Sequence, residues 1–275
     1  MNTVVSCNEL DLLQIADSGQ CFRMNAVSEG TYSLIHAGRY LEISYKGIDS
    51  RTDKKLFELS CDQEEYDNIW KSYFDMDTDY SKMISMVDHA DLFLMEACRF
   101  GSGIRILRQD PWEMLISFII SQRKSIPAIR TSVERLCALC GDRIDTPAGI
   151  RYSFPDAEHI AALSESELDS CGMGYRSRYI SGVARSAAEG ELDVYAMESL
   201  DDEALREKLL SLFGVGIKVA NCVMLFGYHR IDAFPEDVWI GRALSGHYPE
   251  GFPYERYKGC AGVMQQYIFY YTKNK

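Results

Sequence analysis

A lysine and an aspartate in the C-terminal part of the chain are the residues best suited to covalent chemistry. Lys218 follows Gly214 and Gly216 and opens a run with a helical apolar pattern. The positive end of a helix dipole and partial burial both disfavour an ammonium ion, so this position favours a neutral amine. A neutral amine attacks electrophilic carbon and forms Schiff bases. Asp237 opens the next predicted helix, where its carboxylate can cap that helix and still face the lysine.

The segment around Lys218 predicts a helix, a hairpin and a second helix. The first helix is predicted over 199–212, with Ser199 as N-cap and Asp202 as its partner, and the second over 217–226. Glycines in the hairpin let backbone N–H groups approach an anion, and a DNA phosphate fits this chemistry. Simpler alternatives stay open: a plain corner between helices, a surface lysine that contacts phosphate, and an aspartate that only caps.

Five ordered segments carry a resemblance to a known family. The lysine-bearing hairpin resembles that of the helix-hairpin-helix DNA glycosylases, and the chain as a whole most resembles their 8-oxoguanine DNA glycosylase family. The other similar segments are residues 18–23 (SGQCFR), residues 107–111 (LRQDP), residues 174–179 (GYRSRY), and Ala261 and Gly262 with Gln265 and Phe269.

The resemblance implies a bifunctional glycosylase and strand lyase of base excision repair. Lys218 would attack the sugar C1′ and displace the damaged base, and the resulting imine would permit β-elimination of the strand. Asp237 would help to activate the lysine and stabilise the cationic sugar. The open alternatives are a glycosylase for another oxidised or ring-opened purine, and a noncatalytic helix-hairpin-helix module that only binds DNA.

The resemblance also implies a pocket for the lesion base. Gly19 matches the glycine whose carbonyl accepts a hydrogen bond from N7 of 8-oxoguanine. Undamaged guanine has a lone pair at N7, and an unsatisfied buried carbonyl costs about 1–3 kcal/mol. Cys222 and Phe269 match the residues that sandwich the flipped base, and Gln265 matches the amide that reads its pairing edge. Without the resemblance, the cysteine and the phenylalanine are typical packing residues.

A base inside a duplex must be extruded before it can be excised, and the gap must be filled. Tyr175 matches the family's intercalating aromatic residue, and Arg176 matches a residue that contacts the orphaned base. The predicted DNA contacts are Gln122, Arg123, Lys124, Tyr175, Arg176, Gly214 and Gly216.

The sequence departs from the family pattern in three places that concern contacts to DNA. Arg123, Lys124 and Ser125 stand where eukaryotic members have asparagines, and Ala128 stands where they have an arginine that reads the opposite cytosine. Because both changes remove donors for cytosine, we expect weaker selectivity for the opposite base. Trp239 replaces a histidine expected near the phosphates, which puts that contact in doubt.

The net charge of −12 and the pI of about 4.9 argue against DNA binding, because an acidic protein as a whole repels DNA. Screening beyond roughly 8–10 Å lets a local basic cluster dominate at contact. The members of that cluster would be Arg123, Lys124, Arg176, Arg178, Lys218 and Arg242. We therefore expect weak nonspecific binding that depends strongly on salt.

Neither a metal nor a cofactor is expected. Cys137 and Cys140 form a CxxC on one face of a predicted helix, and Cys260 is the one cysteine after Asp237, so no four-cysteine cluster can form there. The partner expected is damaged double-stranded DNA, with no membrane. The protein is expected to be a monomer in the cytoplasm of a prokaryote, associated with the nucleoid.

The pattern along the rest of the chain predicts an α+β fold. We expect an N-terminal antiparallel sheet with flanking helices over residues 1–100, and a helical domain over 101–275 whose hairpin lies at about 200–227. Strands are predicted at 32–35 and 40–45. Asp110 as cap, Pro111 at N1 and Glu113 at N3 predict a buried central helix. Further helices are predicted at 128–140, 166–169, 177–189, 238–246 and 257–272.

Overall fold

A computed structural model describes residues 2–275, which form two compact units. The first unit comprises described residues of Met1–Leu34, Leu41–Arg108 and His229–Lys275, and the second comprises Ile35–Tyr40 and Gln109–Tyr228. The α+β class predicted from sequence is confirmed, with a five-stranded sheet and mainly helical structure elsewhere. The domain division near residue 100 stays a prediction.

The N-terminal sheet has the strand order β1-β5-β4-β3-β2. Its strands are β1 (Thr3–Ser6), β2 (Asn25–Ser28), β3 (Thr31–His36), β4 (Arg39–Asp49) and β5 (Lys54–Leu59). Leu41, Ile43 and Phe57 are buried in a core that also contains Trp70. The sequence predicted strands within β3 and β4, whereas it missed β1 and β5, which pair with each other as antiparallel strands. A two-stranded hairpin of β6 (Arg143–Thr146) and β7 (Gly149–Tyr152) was also missed.

Fourteen α-helices occur among residues 2–275. They are α1 (Leu12–Asp17), α2 (Gln63–Glu65), α3 (Lys71–Tyr73), α4 (Tyr80–Ser85), α5 (Leu92–Phe100), α6 (Pro111–Ser121), α7 (Ile126–Cys140), α8 (Ala157–Ala161), α9 (Glu165–Ser170), α10 (Ser177–Ala188), α11 (Asp202–Leu210), α12 (Ile217–Phe226), α13 (Val238–His247) and α14 (Ala261–Asn274). The ends of α7, α9, α10 and α13 lie within one or two residues of those predicted.

Helix α6 is the buried helix that the sequence predicted. Asp110 Oδ1 accepts a hydrogen bond of 2.9 Å from the Glu113 amide, and Pro111 occupies the first turn. Apart from Pro111 and Glu113, every residue of α6 is buried. The helix packs against α7, α10 and α12, so it supports the helix that carries Lys218.

Two predicted helix starts are wrong. Helix α11 begins after Asp201, whose Oδ1 accepts a hydrogen bond from the Ala204 amide at 2.9 Å, while Ser199 ends a short 3-10 helix and its hydroxyl donates to Ala196. The carboxylate two residues further on is therefore the cap. Helix α14 begins at Ala261 rather than at Tyr257, because Gly259 has φ of +90° and separates α14 from the 3-10 helix Tyr254–Tyr257.

Candidate functional site

Lys218 lies in the first turn of α12, where the sequence predicted a helix start. Gly216 is the N-cap residue in an extended conformation, and its carbonyl accepts the first intrahelical hydrogen bond from the Ala220 amide at 2.9 Å. The lysine is half-buried, and its Nζ lies 5.1 Å from the centre of the Phe118 ring of α6. The amine is thus held beside an aromatic face at the positive end of a helix.

The two hairpin glycines differ in the space that surrounds them. Gly214 has φ of +88°, and a Cβ placed there would lie 2.3 Å from Cγ of Tyr179, so no other residue fits without movement. Gly216 is exposed, and a Cβ placed there would meet nothing within 4 Å. Packing therefore requires the first glycine, whereas the second leaves the backbone next to the lysine open to an anion.

The loop after α6 is joined to the hairpin and to Arg176. Gln122 Nε2 donates to the Gly214 carbonyl at 2.9 Å, and Arg176 Nε donates to the Gln122 carbonyl at 2.8 Å. Arg176 is buried, and its Nη1 also donates to the Met173 carbonyl. The structure brings these three predicted DNA contacts together. The guanidinium of Arg176 holds main-chain carbonyls, and its contact with an orphaned base stays a prediction.

Two basic residues of the same loop differ in their environment. Arg123 is exposed and adopts φ of +52°, which places it at the turn of the loop. Lys124 Nζ donates to the Gly172 carbonyl and to the Ser132 hydroxyl, both at 2.6 Å. Burial, followed by the nearby Arg176 and Arg135 guanidinium groups, lowers the pKa of Lys124. Arg123 is therefore the more accessible of the two cations.

Tyr175 lies at the surface of the second unit. Its side chain is 44% exposed, and the guanidinium of Arg176 lies 4.4 Å from the centre of its ring. Stacking of this kind orients the ring without burying it. Insertion of this ring into a duplex stays a prediction.

Asp237 and Gln265 belong to the first unit and lie close to the same turn. Asp237 caps α13, and its Oδ1 accepts hydrogen bonds of 2.9 Å from the amides of Trp239 and Ile240. Gln265 of α14 is buried and donates through Nε2 to the Pro235 carbonyl at 2.8 Å, while Gln266 donates to its Oε1. Asp237 therefore does cap a helix, as the simpler interpretation of the sequence predicted, and it uses one carboxylate oxygen to do so.

Gly19 follows α1 with φ of +74°, a conformation that favours glycine. Its neighbour Gln20 is completely buried and donates to the Ser18 hydroxyl and to the Arg105 carbonyl, both at 2.9 Å. Gln20 Oε1 also accepts a hydrogen bond from the Leu107 amide. Sequence reasoning missed this anchoring role, although the glutamine stands inside the SGQ segment.

The other two residues of the predicted lesion pocket lie on helices. Cys222 of α12 is buried in the second unit, and Phe269 of α14 is half-buried in the first. An ion pair of 2.8 Å between Lys273 and Asp17 joins α14 to the end of α1, next to Gly19. Gly19, Gln265 and Phe269 are therefore positioned by elements of one unit. Their contacts with a base stay predictions.

The comparisons with known proteins agree with this arrangement. Residues 3–115 match the N-terminal domain of 8-oxoguanine DNA glycosylase, and residues 116–251 match the HhH-GPD superfamily of base excision DNA repair proteins. A solved structure of MBOgg1 with a low-affinity DNA ligand is 33% identical, with a TM-score of 0.91 over 99% of this chain and 96% of that one. The chain belongs to the 8-oxoguanine DNA glycosylase family.

Two further family members illustrate the extent of the likeness. The 8-oxoguanine glycosylase/lyase of Clostridium acetobutylicum, solved with double-stranded DNA, is 30% identical, with a TM-score of 0.90 over 99% of this chain and 98% of that one. The N-glycosylase/DNA lyase of Saccharomyces cerevisiae is 40% identical over 158 residues. That alignment covers 53% of this chain but 42% of the yeast protein.

This member of the 8-oxoguanine glycosylase family also contains a buried polar cluster that the sequence did not indicate. Asp75 is 3% exposed and accepts hydrogen bonds from Tyr80 at 2.9 Å and from Arg108 at 3.0 Å. His229 Nε2 lies 3.3 Å from the same carboxylate. Burial, followed by the charge of Arg108, lowers the pKa of His229 to about 4 despite the opposing effect of Asp75. The imidazole is therefore neutral near pH 7.

Residues 2–275 contain neither a candidate metal site nor a candidate membrane helix. The described part of the chain contains no group of three or more His, Cys, Asp or Glu side chains that could hold a metal ion. No helix in it is both long enough and apolar enough to cross a membrane. Cys137 and Cys140 lie on α7, the first buried and the second half-buried, and neither forms a disulfide.

Proposed function

We propose that this protein is a bifunctional glycosylase and lyase that removes 8-oxoguanine from duplex DNA. The observation that carries the proposal is Lys218, half-buried in the first turn of α12 directly after a glycine hairpin. Family membership supports the same reaction, because related proteins are named N-glycosylase/DNA lyase and 8-oxoguanine glycosylase/lyase. The substrate proposed is damaged double-stranded DNA, and the protein acts on it as a monomer in the cytoplasm.

The reaction begins with attack of the Lys218 amine on C1′ of the damaged nucleotide. The C1′–N9 bond breaks, its electron pair leaves with the base, and the base takes up a proton. The bond from C1′ to the ring oxygen then opens to give an imine, and loss of a C2′ proton expels the 3′ phosphate. Asp237 stabilises the cationic sugar and accepts the proton that the amine releases.

Recognition of the lesion is assigned to the four residues that match the lesion pocket of the family. The Gly19 carbonyl accepts the N7 hydrogen that distinguishes 8-oxoguanine from guanine, and Gln265 reads the pairing edge. Cys222 and Phe269 enclose the base from its two faces. The hydrogen bonds of Gln20 support this role, since they fix the segment that carries the Gly19 carbonyl.

The proposal is tested with a duplex that contains one 8-oxoguanine opposite cytosine and with a matched duplex that contains guanine. Free base is measured by mass spectrometry and strand cleavage by gel electrophoresis. We expect release of 8-oxoguanine with cleavage 3′ to the lesion, and no release from the guanine duplex. A third matched duplex carries a ring-opened purine, and release of that base with 8-oxoguanine left intact would overturn the proposed lesion. Tight binding of DNA without any base release would favour a noncatalytic module.

A further inference from the structure

Three aromatic rings form a row on the second unit. Tyr175 and Tyr179 have ring centres 5.8 Å apart, and Tyr179 and Phe213 have ring centres 4.7 Å apart, both in edge-to-face geometry. The two ends of the row are open to solvent, since Tyr175 is 44% exposed and Phe213 is 61% exposed. We call these three residues the aromatic row.

Exposure of Phe213 is unfavourable for a free protein. A phenylalanine gains about 1.5–3 kcal/mol from full burial, yet this one stands at the tip of the hairpin with most of its surface in water. Ile217, on the other side of the hairpin glycines, is 70% exposed. Apolar surface of this kind beside polar residues is typical of a binding surface.

A positive charge accompanies the rings. The guanidinium of Arg178 lies 5.3 Å from the Tyr179 ring centre and 5.9 Å from that of Phe213. Aromatic faces with adjacent cations are the features that hold unpaired bases, where the ring stacks on the base and the cation attracts the phosphate. The charge of the row is therefore complementary to DNA.

The row is held in place by the hairpin and the loop after α6. Gly214 packs directly against Tyr179, and its carbonyl accepts the hydrogen bond from Gln122. A surface that is already ordered loses less entropy when it binds a ligand.

Two of the positions that the family uses to read an orphaned base lack an available donor here. Ala128 is exposed and offers no donor, and Arg176 donates to the carbonyls of Gln122 and Met173. Stacking tolerates any base because every base has a π face.

We propose that the aromatic row is a stacking platform for the base left unpaired opposite the extruded lesion, and that Phe213 is its second stacking residue beside Tyr175. The inference rests on the proposed function, because extrusion of the lesion creates the unpaired base. Stacking on these rings does not depend on which base lies opposite the lesion.

The test uses duplex DNA with a tetrahydrofuran abasic analogue opposite 2-aminopurine, whose fluorescence falls when it stacks. We compare wild type with Phe213→Leu, which keeps apolar volume but removes the ring, and with Phe213→Trp, which keeps an aromatic ring. Tyr195→Leu is the matched control, because it replaces a ring that is 59% exposed in the same unit outside the row. Melting temperatures establish that all four proteins are folded.

We expect wild type, Phe213→Trp and Tyr195→Leu to quench the fluorescence with similar dissociation constants. Phe213→Leu should bind at least fivefold more weakly and leave the probe bright, in line with the size of base–aromatic stacking. Equal binding and quenching by Phe213→Leu and wild type would overturn the proposal, and so would equal losses for the Leu and Trp variants. Base release from 8-oxoguanine duplex by the same wild-type preparation separates this failure from failure of the proposed function.

Discussion

The side-chain amide of Gln122 donates a hydrogen bond of 2.9 Å to the Gly214 carbonyl. This bond joins the loop predicted to enter the DNA gap to the hairpin that precedes Lys218. Arg176 extends the connection, because its guanidinium donates to the Gln122 carbonyl. Loop, hairpin and Arg176 are thus joined by hydrogen bonds within the second unit, and the hairpin leads directly into Lys218, the proposed nucleophile.

Loss of the Gln122 amide should disturb this arrangement. Gln122→Ala removes the hydrogen bond to Gly214 and is expected to lower the free energy of unfolding by about 1 kcal/mol. The rate of base release should fall about 5- to 10-fold, which corresponds to a similar energy. Gln63→Ala is the control, because Gln63 is exposed on α2. Single-turnover rates and urea unfolding of both variants measure the effects, and equal rates for the two would contradict the coupling.

The hairpin glycines offer a matched pair of substitutions. Gly214→Ala places a methyl group against Tyr179 in a left-handed conformation, so we expect a loss of about 2–4 kcal/mol in stability. Gly216→Ala meets no neighbouring atom, so it should cost only about 1 kcal/mol, because alanine is a poorer N-cap residue than glycine. DNA binding should still weaken for Gly216→Ala, because a methyl group keeps phosphate away from the backbone. Thermal unfolding and binding titrations separate the two effects, and similar stabilities for the two variants would refute this account of the packing.

The buried histidine predicts a pH dependence of stability. The folded-state pKa of His229, about 4, lies below the unfolded value near 6.5, so the unfolded chain binds a proton first as pH falls. Stability contributed by the neutral imidazole is therefore complete above pH 6.5 and is lost as pH falls towards 4. Between pH 7 and pH 5 the loss should be about 2 kcal/mol.

His229→Asn isolates this contribution. Asparagine tolerates the φ of +50° at this position and does not titrate. We measure the free energy of unfolding with urea at pH 7 and at pH 5. Its fall between the two pH values should be about 2 kcal/mol smaller for the variant than for wild type. The same pH difference in both proteins would assign the effect to other groups.

Selectivity for the base opposite the lesion should be weak. Ala128 is exposed on α7, so Ala128→Arg can restore a long donor without disturbing the core. Excision rates opposite cytosine, thymine, guanine and adenine should be similar in wild type, whereas the variant should favour cytosine by about 5-fold or more. Ala128→Leu controls for side-chain length. A strong cytosine preference in wild type would contradict the expectation.

Local signals made part of the fold predictable. The Asp110 cap with Pro111, and the end of α12 at Gly227, depend on neighbouring residues alone, and the structure has both. The missed strands β1 and β5 pair across a long stretch of chain, for example Val5 with Phe57, and short strands without a tight turn give little local signal. The cap of α11 was misplaced because Ser199 and Asp201 are both good capping residues.

The site was predictable in residue type but not in contacts. The positions of Lys218 at a helix start and Asp237 at an N-cap follow from sequence. The hydrogen bonds of Gln20 with Arg105, and of Gln122 with Gly214, join segments far apart in the chain, so spacing cannot reveal them. The exposure of Phe213 likewise depends on how the hairpin packs against Tyr179.

Borohydride trapping tests the central claim most directly, because it reduces an imine between enzyme and DNA to a stable bond. Wild type and Lys218→Gln are incubated with a duplex that contains 8-oxoguanine opposite cytosine, and covalent adducts are separated by gel electrophoresis. We predict an adduct for wild type and none for the variant, with peptide mapping that places DNA on Lys218. Base release by wild type without any adduct, or an adduct that persists in Lys218→Gln, would contradict the assignment of Lys218 as the nucleophile.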